Sequence, residues 1–129
     1  MRIEFDKLNK INVKELTDAQ TKHLVVKALV VQRLLLKYRS INNYIRVYTE
    51  MPINNSKSCD VLFENWKTKE VYAYEIQSLN TPKWRLETAQ KYAAWIPYGF
   101  NTADWSIIDL NKLSDKINEI KIHIDKLII

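Results

Sequence analysis

Glycine is almost missing from this chain: Gly99 is the only one in 129 residues. That excludes every glycine-rich phosphate loop, both common nucleotide-binding fingerprints included. Cysteine also occurs once, as Cys59. An internal disulfide and any multi-cysteine zinc module are therefore excluded, and the usage suits a reducing cytoplasm. Two histidines argue against a zinc site of several histidines. No apolar run approaches the roughly 20 residues that cross a bilayer. The opening MRIEFDKLNK alternates charges without an apolar h-region, so no signal peptide and no membrane association are expected.

What is present is enough for one ordinary folded domain. Hydrophobic residues make up 47% and charged residues 27%, so a core can form without disulfides or a structural metal. The net charge is +5, and it is unevenly spread. Between Asp18 and Thr49 the basic residues are Lys22, Lys27, Arg33, Lys37, Arg39 and Arg46, against Asp18 as the single acid. This one segment equals the charge of the whole chain. A basic helix beside a neutral remainder is either a phosphate-binding footprint or a solvated face.

Residues 1–16 read as an arm. Thr17-x-x-Gln20 is a capping box ahead of an apolar run, so a helix is predicted from about Asp18 to Tyr38. Its apolar residues cover most of its circumference, which predicts a largely buried helix. Ser40, Asn42 and Asn43 mark a turn, and Tyr44–Met51 reads as a strand. A loop over Pro52–Ser58 leads to a second strand, Cys59–Glu64, and a polar turn to a third, Glu70–Gln77. The last two form a predicted hairpin. Asn80-Thr81-Pro82 starts a second helix that runs to about Trp95. Asp104–Leu110 is a fourth strand. From about Asn111, a stripe of Leu110, Leu113, Ile117, Ile120, Ile124 and Leu127 predicts a final helix. That stripe either packs on the core or forms a seam with a second copy or a protein partner, and Ile120–Asp125 also alternates like a strand. The fold expected is a single α/β domain over 1–129, a mixed sheet with helices in the order α-β-β-β-α-β-α.

Three acids converge in this scheme. Glu50 ends the first strand, Asp60 opens the second, and Glu75 lies near the end of the third, with Gln77 two residues on and on the same face. Paired strands bring Asp60 and Glu75 close, and two such carboxylates do not both ionise cheaply. A divalent cation relieves that repulsion, and hard oxygen ligands suit magnesium or manganese. The plain alternative is acids solvated at strand ends.

These residues carry a resemblance. Asp60, fourteen intervening residues, then Glu75-x-Gln77 after a helix and an earlier strand, resembles the PD-(D/E)xK nuclease superfamily over about Asp18–Leu110. More narrowly the chain is similar to the CoiA-like competence-nuclease group. The features shared with that group are His23-x-x-x-Lys27 on the first helix, Glu50 followed soon by proline, Cys59-Asp60-Val61, Glu75-Ile76-Gln77-Ser78, and a helix with Arg85 and Tyr92. The resemblance implies a restriction-endonuclease-like core and hydrolysis of DNA phosphodiesters by a metal-activated water. It implies Asp60, Glu75 and the Ile76 carbonyl as ligands of Mg2+ or Mn2+, Glu50 at a second ion or a water, and Gln77 orienting the attacking water. The superfamily has lysine where Gln77 stands and proline where Cys59 stands. Glutamine carries no charge for the phosphate, and Lys83 or Lys91 could supply it instead. A silent DNA-binding relative and a subunit of a DNA-processing assembly are the alternatives.

His23 and Lys27, one helical turn apart, share a face. They reach either the scissile phosphate or a carboxylate, or they simply line the surface. Arg85 and Lys91 are either phosphate contacts or exposed charges. Trp84, Tyr92 and Trp95 read as a core face, Trp66 and Tyr72 as exposed candidates for stacking on unpaired bases, and Cys59 as a small buried hydrophobe.

Overall fold

The computed structural model describes residues 16–54, 57–78 and 81–129. The arm expected over residues 1–16 falls outside them except for Leu16. Helix α1 (Asp18–Lys37) begins at the capping box: Thr17 accepts from the Gln20 N–H at 3.1 Å, and the Gln20 side chain accepts the Thr17 N–H at 2.9 Å. A 3-10 turn (Arg39–Tyr44) leads into β1 (Ile45–Asn54). Then come β2 (Lys57–Asn65), β3 (Glu70–Gln77), α2 (Pro82–Tyr92), β4 (Thr102–Asp109) and α3 (Ile117–Leu127).

The strands form one four-stranded mixed sheet in the order β1-β2-β3-β4. β1/β2 and β2/β3 are antiparallel, as the hairpin reading predicts for the latter. β3/β4 is parallel, joined through α2, because parallel neighbours need a crossover. β3 is central and buried on both sides, which explains its nearly continuous apolar run. Tyr74 and Ile76 face the layer of α1 and α3. Val71 and Ala73 alternate to the other side, where Tyr92 of α2 packs.

Three sequence expectations are corrected. The loop over Pro52–Ser58 is mostly strand: β1 continues to Asn54, and Pro52 pairs with Ser58 ahead of a bulge. Proline is tolerated there because β1 is an edge strand. The last helix starts not at Asn111 but at Ile117, after a 3-10 turn over Leu110–Lys112. Leu110, Leu113, Ile120 and Ile124 of the stripe are buried, while Ile117 and Leu127 stay substantially exposed. The apolar spacing of Leu110 and Leu113 is satisfied from a turn rather than from a helix. Lys22 pins that segment, donating to the Leu113 carbonyl at 2.7 Å and to Asp115 at 2.9 Å.

The third correction concerns α1. Its buried residues are Val26, Val30 and Leu34, a single stripe at four-residue spacing. Each side chain there contributes about 1.5–3 kcal/mol of burial at most. Leu24, Leu35 and Leu36 remain about half exposed. A helix on a narrow sheet with α3 beside it buries one stripe, whatever its composition. Among the described residues no helix is long and apolar enough to cross a membrane.

Candidate functional site

The site forms where β2 and β3 stop pairing. Their ladder runs from Asn65↔Glu70 to Val61↔Tyr74 and ends there. Asp60 and Glu75 are the next residues on the two strands. Beyond that point the Asp60 side chain takes the place of a ladder partner: its Oδ2 accepts the Ile76 N–H at 2.7 Å. The Asp60 carboxylate therefore lies against the peptide that joins Glu75 to Ile76. Its other oxygen, Oδ1, meets His23 Nε2 at 3.1 Å. Asp60 is thus held from two elements, at 17% side-chain exposure.

Glu75 is only 6% exposed, so it needs partners to be stable there. Its Oε1 accepts from Lys91 Nζ at 2.6 Å and from the Tyr92 hydroxyl at 2.5 Å. Lys91 Nζ also donates to the Ser58 carbonyl at 2.5 Å, tying α2 to β2. Both partners of Glu75 come from the last turn of α2. That helix is fixed at its start by Thr81, whose hydroxyl accepts the Trp84 N–H at 3.1 Å, with Pro82 in the first turn. The Tyr92 ring stacks on Trp105 of β4 at 4.9 Å and 13°, which fixes where its hydroxyl points.

Burial and neighbouring charge shift two groups beside these carboxylates. Cys59, buried at the centre, has its thiol pushed up from 9.0 to about 12. Burial is the main cause, followed by the negative charge of Glu75; Lys91 opposes the rise and Asp60 adds to it. The Tyr92 hydroxyl is also pushed up, by burial first and then by its hydrogen bond to Glu75 and the charge there, with a smaller push from Asp60. Both carboxylates add to both shifts, while their side chains are held from different layers, Asp60 by His23 of α1 and Glu75 by Lys91 and Tyr92 of α2.

Glu50 sits apart. It faces Asp60 across a gap in the ladder, between Thr49↔Val61 and Met51↔Cys59. Its backbone is in the left-handed region, at φ 53, an unfavourable conformation for a residue other than glycine. Its carboxylate is 56% exposed and pairs with Lys27 at 2.8 Å. His23 and Lys27, one turn apart on α1, therefore each hold one acid of the sheet. Of the alternatives open in the sequence, both take the carboxylate. Gln77 is half-buried, and its Oε1 accepts the Ser78 N–H at 2.9 Å. Lys83 and Arg85 are exposed on α2, and neither has an ion-pair partner among the described residues. Of the basic residues on α2, it is Lys91 that reaches a carboxylate, that of Glu75.

Among the described residues no three of His, Cys, Asp and Glu form a group that could hold a metal ion. Magnesium needs fewer: one or two carboxylates with waters and substrate oxygens suffice. Asp60, Glu75 and a backbone carbonyl such as that of Ile76 are hard oxygen donors of the right kind. These donor types suit Mg2+ or Mn2+; Asp60 Oδ2 and Oδ1 are engaged by the Ile76 N–H and His23, and Glu75 Oε1 by Lys91 and Tyr92.

Tyr92 is among the residues that carry the resemblance, but its helical spacing from Trp84 and Trp95 reads as core, and its bond to Glu75 is seen only in the structure. Trp66 and Tyr72, expected to be exposed, are instead packed on Phe100 at 4.4 Å and on Tyr74 at 4.8 Å. No protein family, curated protein or solved structure matches the chain.

Proposed function

We propose that the protein is a metal-dependent deoxyribonuclease with a restriction-endonuclease-like core, working in the cytoplasm. The observation that carries this reading is the meeting of Asp60 with the Glu75–Ile76 peptide at the point where β2 and β3 part. In this reading Asp60, Glu75 and the Ile76 carbonyl hold Mg2+ or Mn2+. When bound, the cation lowers the pKa of a water and offsets the charge that grows on the phosphate.

The chain's own residues do the rest. His23 orients Asp60 through Oδ1. Tyr92 and Lys91 fix Glu75. Lys91 also brings the positive charge that Gln77 lacks, beside the carboxylate where the phosphate would lie. Gln77, at the end of β3, releases Ser78 to orient the attacking water. Glu50 at the rim takes a second ion or a water by exchanging Lys27. Lys83 and Arg85 contact DNA phosphates.

A specific observation favours a second reading, a DNA-binding module of the same fold that does not cleave. Glu75 Oε1 already has two donors, and Gln77 is turned to its own strand end. Nicking of supercoiled plasmid distinguishes the two. The nuclease reading expects nicking that requires magnesium or manganese and is abolished in Asp60→Ala and Glu75→Ala. Binding of DNA with no nicking in either metal would establish the silent module instead.

A further inference from the structure

A groove of about 400 Å3 opens beside the carboxylate site. One wall is β1, through Met51, Pro52 and Ile53; the other is the segment after α2, through Trp95, Ile96 and Pro97. Lys91, the partner of Glu75, belongs to the same lining, so the groove reaches the residue that holds Glu75. Trp95 is half-buried and held edge-on by Tyr92 at 5.2 Å, the residue whose hydroxyl binds Glu75.

Both walls start from unfavourable backbone. Among the described residues the non-glycine positions with positive φ are Glu50, Lys69 and Ala94. Glu50 immediately precedes Met51, and Ala94 immediately precedes Trp95. Conformations of that kind persist where the surroundings enforce them, and they gather at ligand clamps. Here they aim an aromatic ring and an apolar strand end at one space.

We propose that this groove seats one unpaired nucleotide of the strand to be cut, its base against Trp95 and its phosphate towards Lys91. The inference rests on the hydrolase reading, which makes Lys91 and Glu75 part of the reacting centre. The occupant follows from size, shape and charge. The volume lies at the low end for small-molecule sites, too small for a duplex. The Trp95 ring in the lining suits a base, since base-on-aromatic stacking tolerates any sequence. Among the described residues the lining carries one cation, Lys91, which keeps one donor for the phosphate after its bonds to Glu75 and Ser58, and one acid, Glu64. The substrate class is therefore single-stranded or frayed DNA in preference to intact duplex.

The test is fluorescence anisotropy in EDTA at one fixed salt concentration. The probes are labelled oligothymidine of about a dozen nucleotides and a duplex of equal length. Wild-type protein is expected to bind the single strand about tenfold more tightly. Trp95→Ala should weaken single-strand binding roughly fivefold or more and leave duplex binding within about twofold. Trp95→Phe should keep most of the affinity. Ile96→Asp, at an exposed position of the same lining, provides a second variant should Trp95→Ala misfold, and it should weaken the single strand in the same selective way.

Equal affinity for the two probes, or an equal loss on both in Trp95→Ala, would overturn the proposal. So would binding of a proline-rich peptide that depends on Trp95 while oligothymidine fails to bind. Plasmid cleavage is scored in parallel. Cleavage absent with the single-strand preference intact removes the hydrolase reading and supports the groove. Cleavage present with no preference removes the groove alone.

Discussion

Lys91→Met is the most informative single substitution for the architecture of the site. It removes the ammonium from a carboxylate that is 6% exposed and deletes the 2.5 Å bond to the Ser58 carbonyl. Breaking one side of a buried, hydrogen-bonded pair costs about 3–5 kcal/mol, mostly because the remaining charge stays buried. Tyr92 alone then faces Glu75. With a urea m-value of about 2 kcal/mol/M for a domain of this size, the midpoint should fall by about 1.5–2.5 M. Glu75→Gln added to Lys91→Met removes the stranded charge, so the double variant should regain most of the loss, giving a coupling of at least about 2 kcal/mol. Lys27→Met supplies the contrast. Its ion pair with Glu50 has a similar length, 2.8 Å, but Glu50 is 56% exposed, and the cost should stay below about 1 kcal/mol. If Lys91→Met and Lys27→Met cost the same, or if Glu75→Gln fails to rescue Lys91→Met, the reasoning about burial is wrong.

Four further outcomes follow from the same geometry. Cys59 should resist alkylation in the native protein at pH 8 and react fully in denaturant, as judged by mass spectrometry; rapid native labelling would contradict its burial. Because its folded pKa, about 12, lies above its ordinary 9.0, its contribution to stability is full below pH 9 and is lost as pH rises towards 12. Thermal melts across that range should show the fall, and Cys59→Ala should remove the part that begins near pH 9, leaving the part that the raised Tyr92 and Tyr74 hydroxyls add above pH 10. Gly99 has φ 92, and an added Cβ would lie 3.3 Å from the Trp66 ring, so Gly99→Ala should cost about 1–3 kcal/mol in a urea melt. In nicking assays, Lys91→Met should lower the rate about 100-fold or more, whereas Gln77→Ala should lower it about tenfold; the reverse order would return the charge-bearing role to the end of β3.

Local signals in the sequence translated well. The capping box at Thr17 and Gln20 is a contact between neighbours in the chain, and the alternation of Glu70–Gln77 is bounded by a polar turn; both elements form where the pattern places them. What failed were properties that belong to the assembled sheet. Pro52 looks like a loop residue until β1 is known to be an edge. The flank of α1 that carries Leu24 and Leu35 looks buried until the width of the sheet is known. At the site, the positions of Asp60 and Glu75 were legible because the hairpin ladder ends one pair short of them. The left-handed backbone at Glu50, which turns its carboxylate to Lys27, has no signature in the residues around it. Nor has the hydroxyl of Tyr92, since an aromatic stripe carries no mark of which ring will meet a buried acid.

The central claim is that Asp60 and Glu75 share one divalent cation. Crystals of the protein soaked in manganese, with anomalous scattering recorded, test it most directly. A peak is expected within coordination distance of carboxylate oxygens of both residues, absent from crystals of Asp60→Ala. An empty site at saturating manganese, or a peak on Glu50 or elsewhere without Asp60 and Glu75, would contradict it.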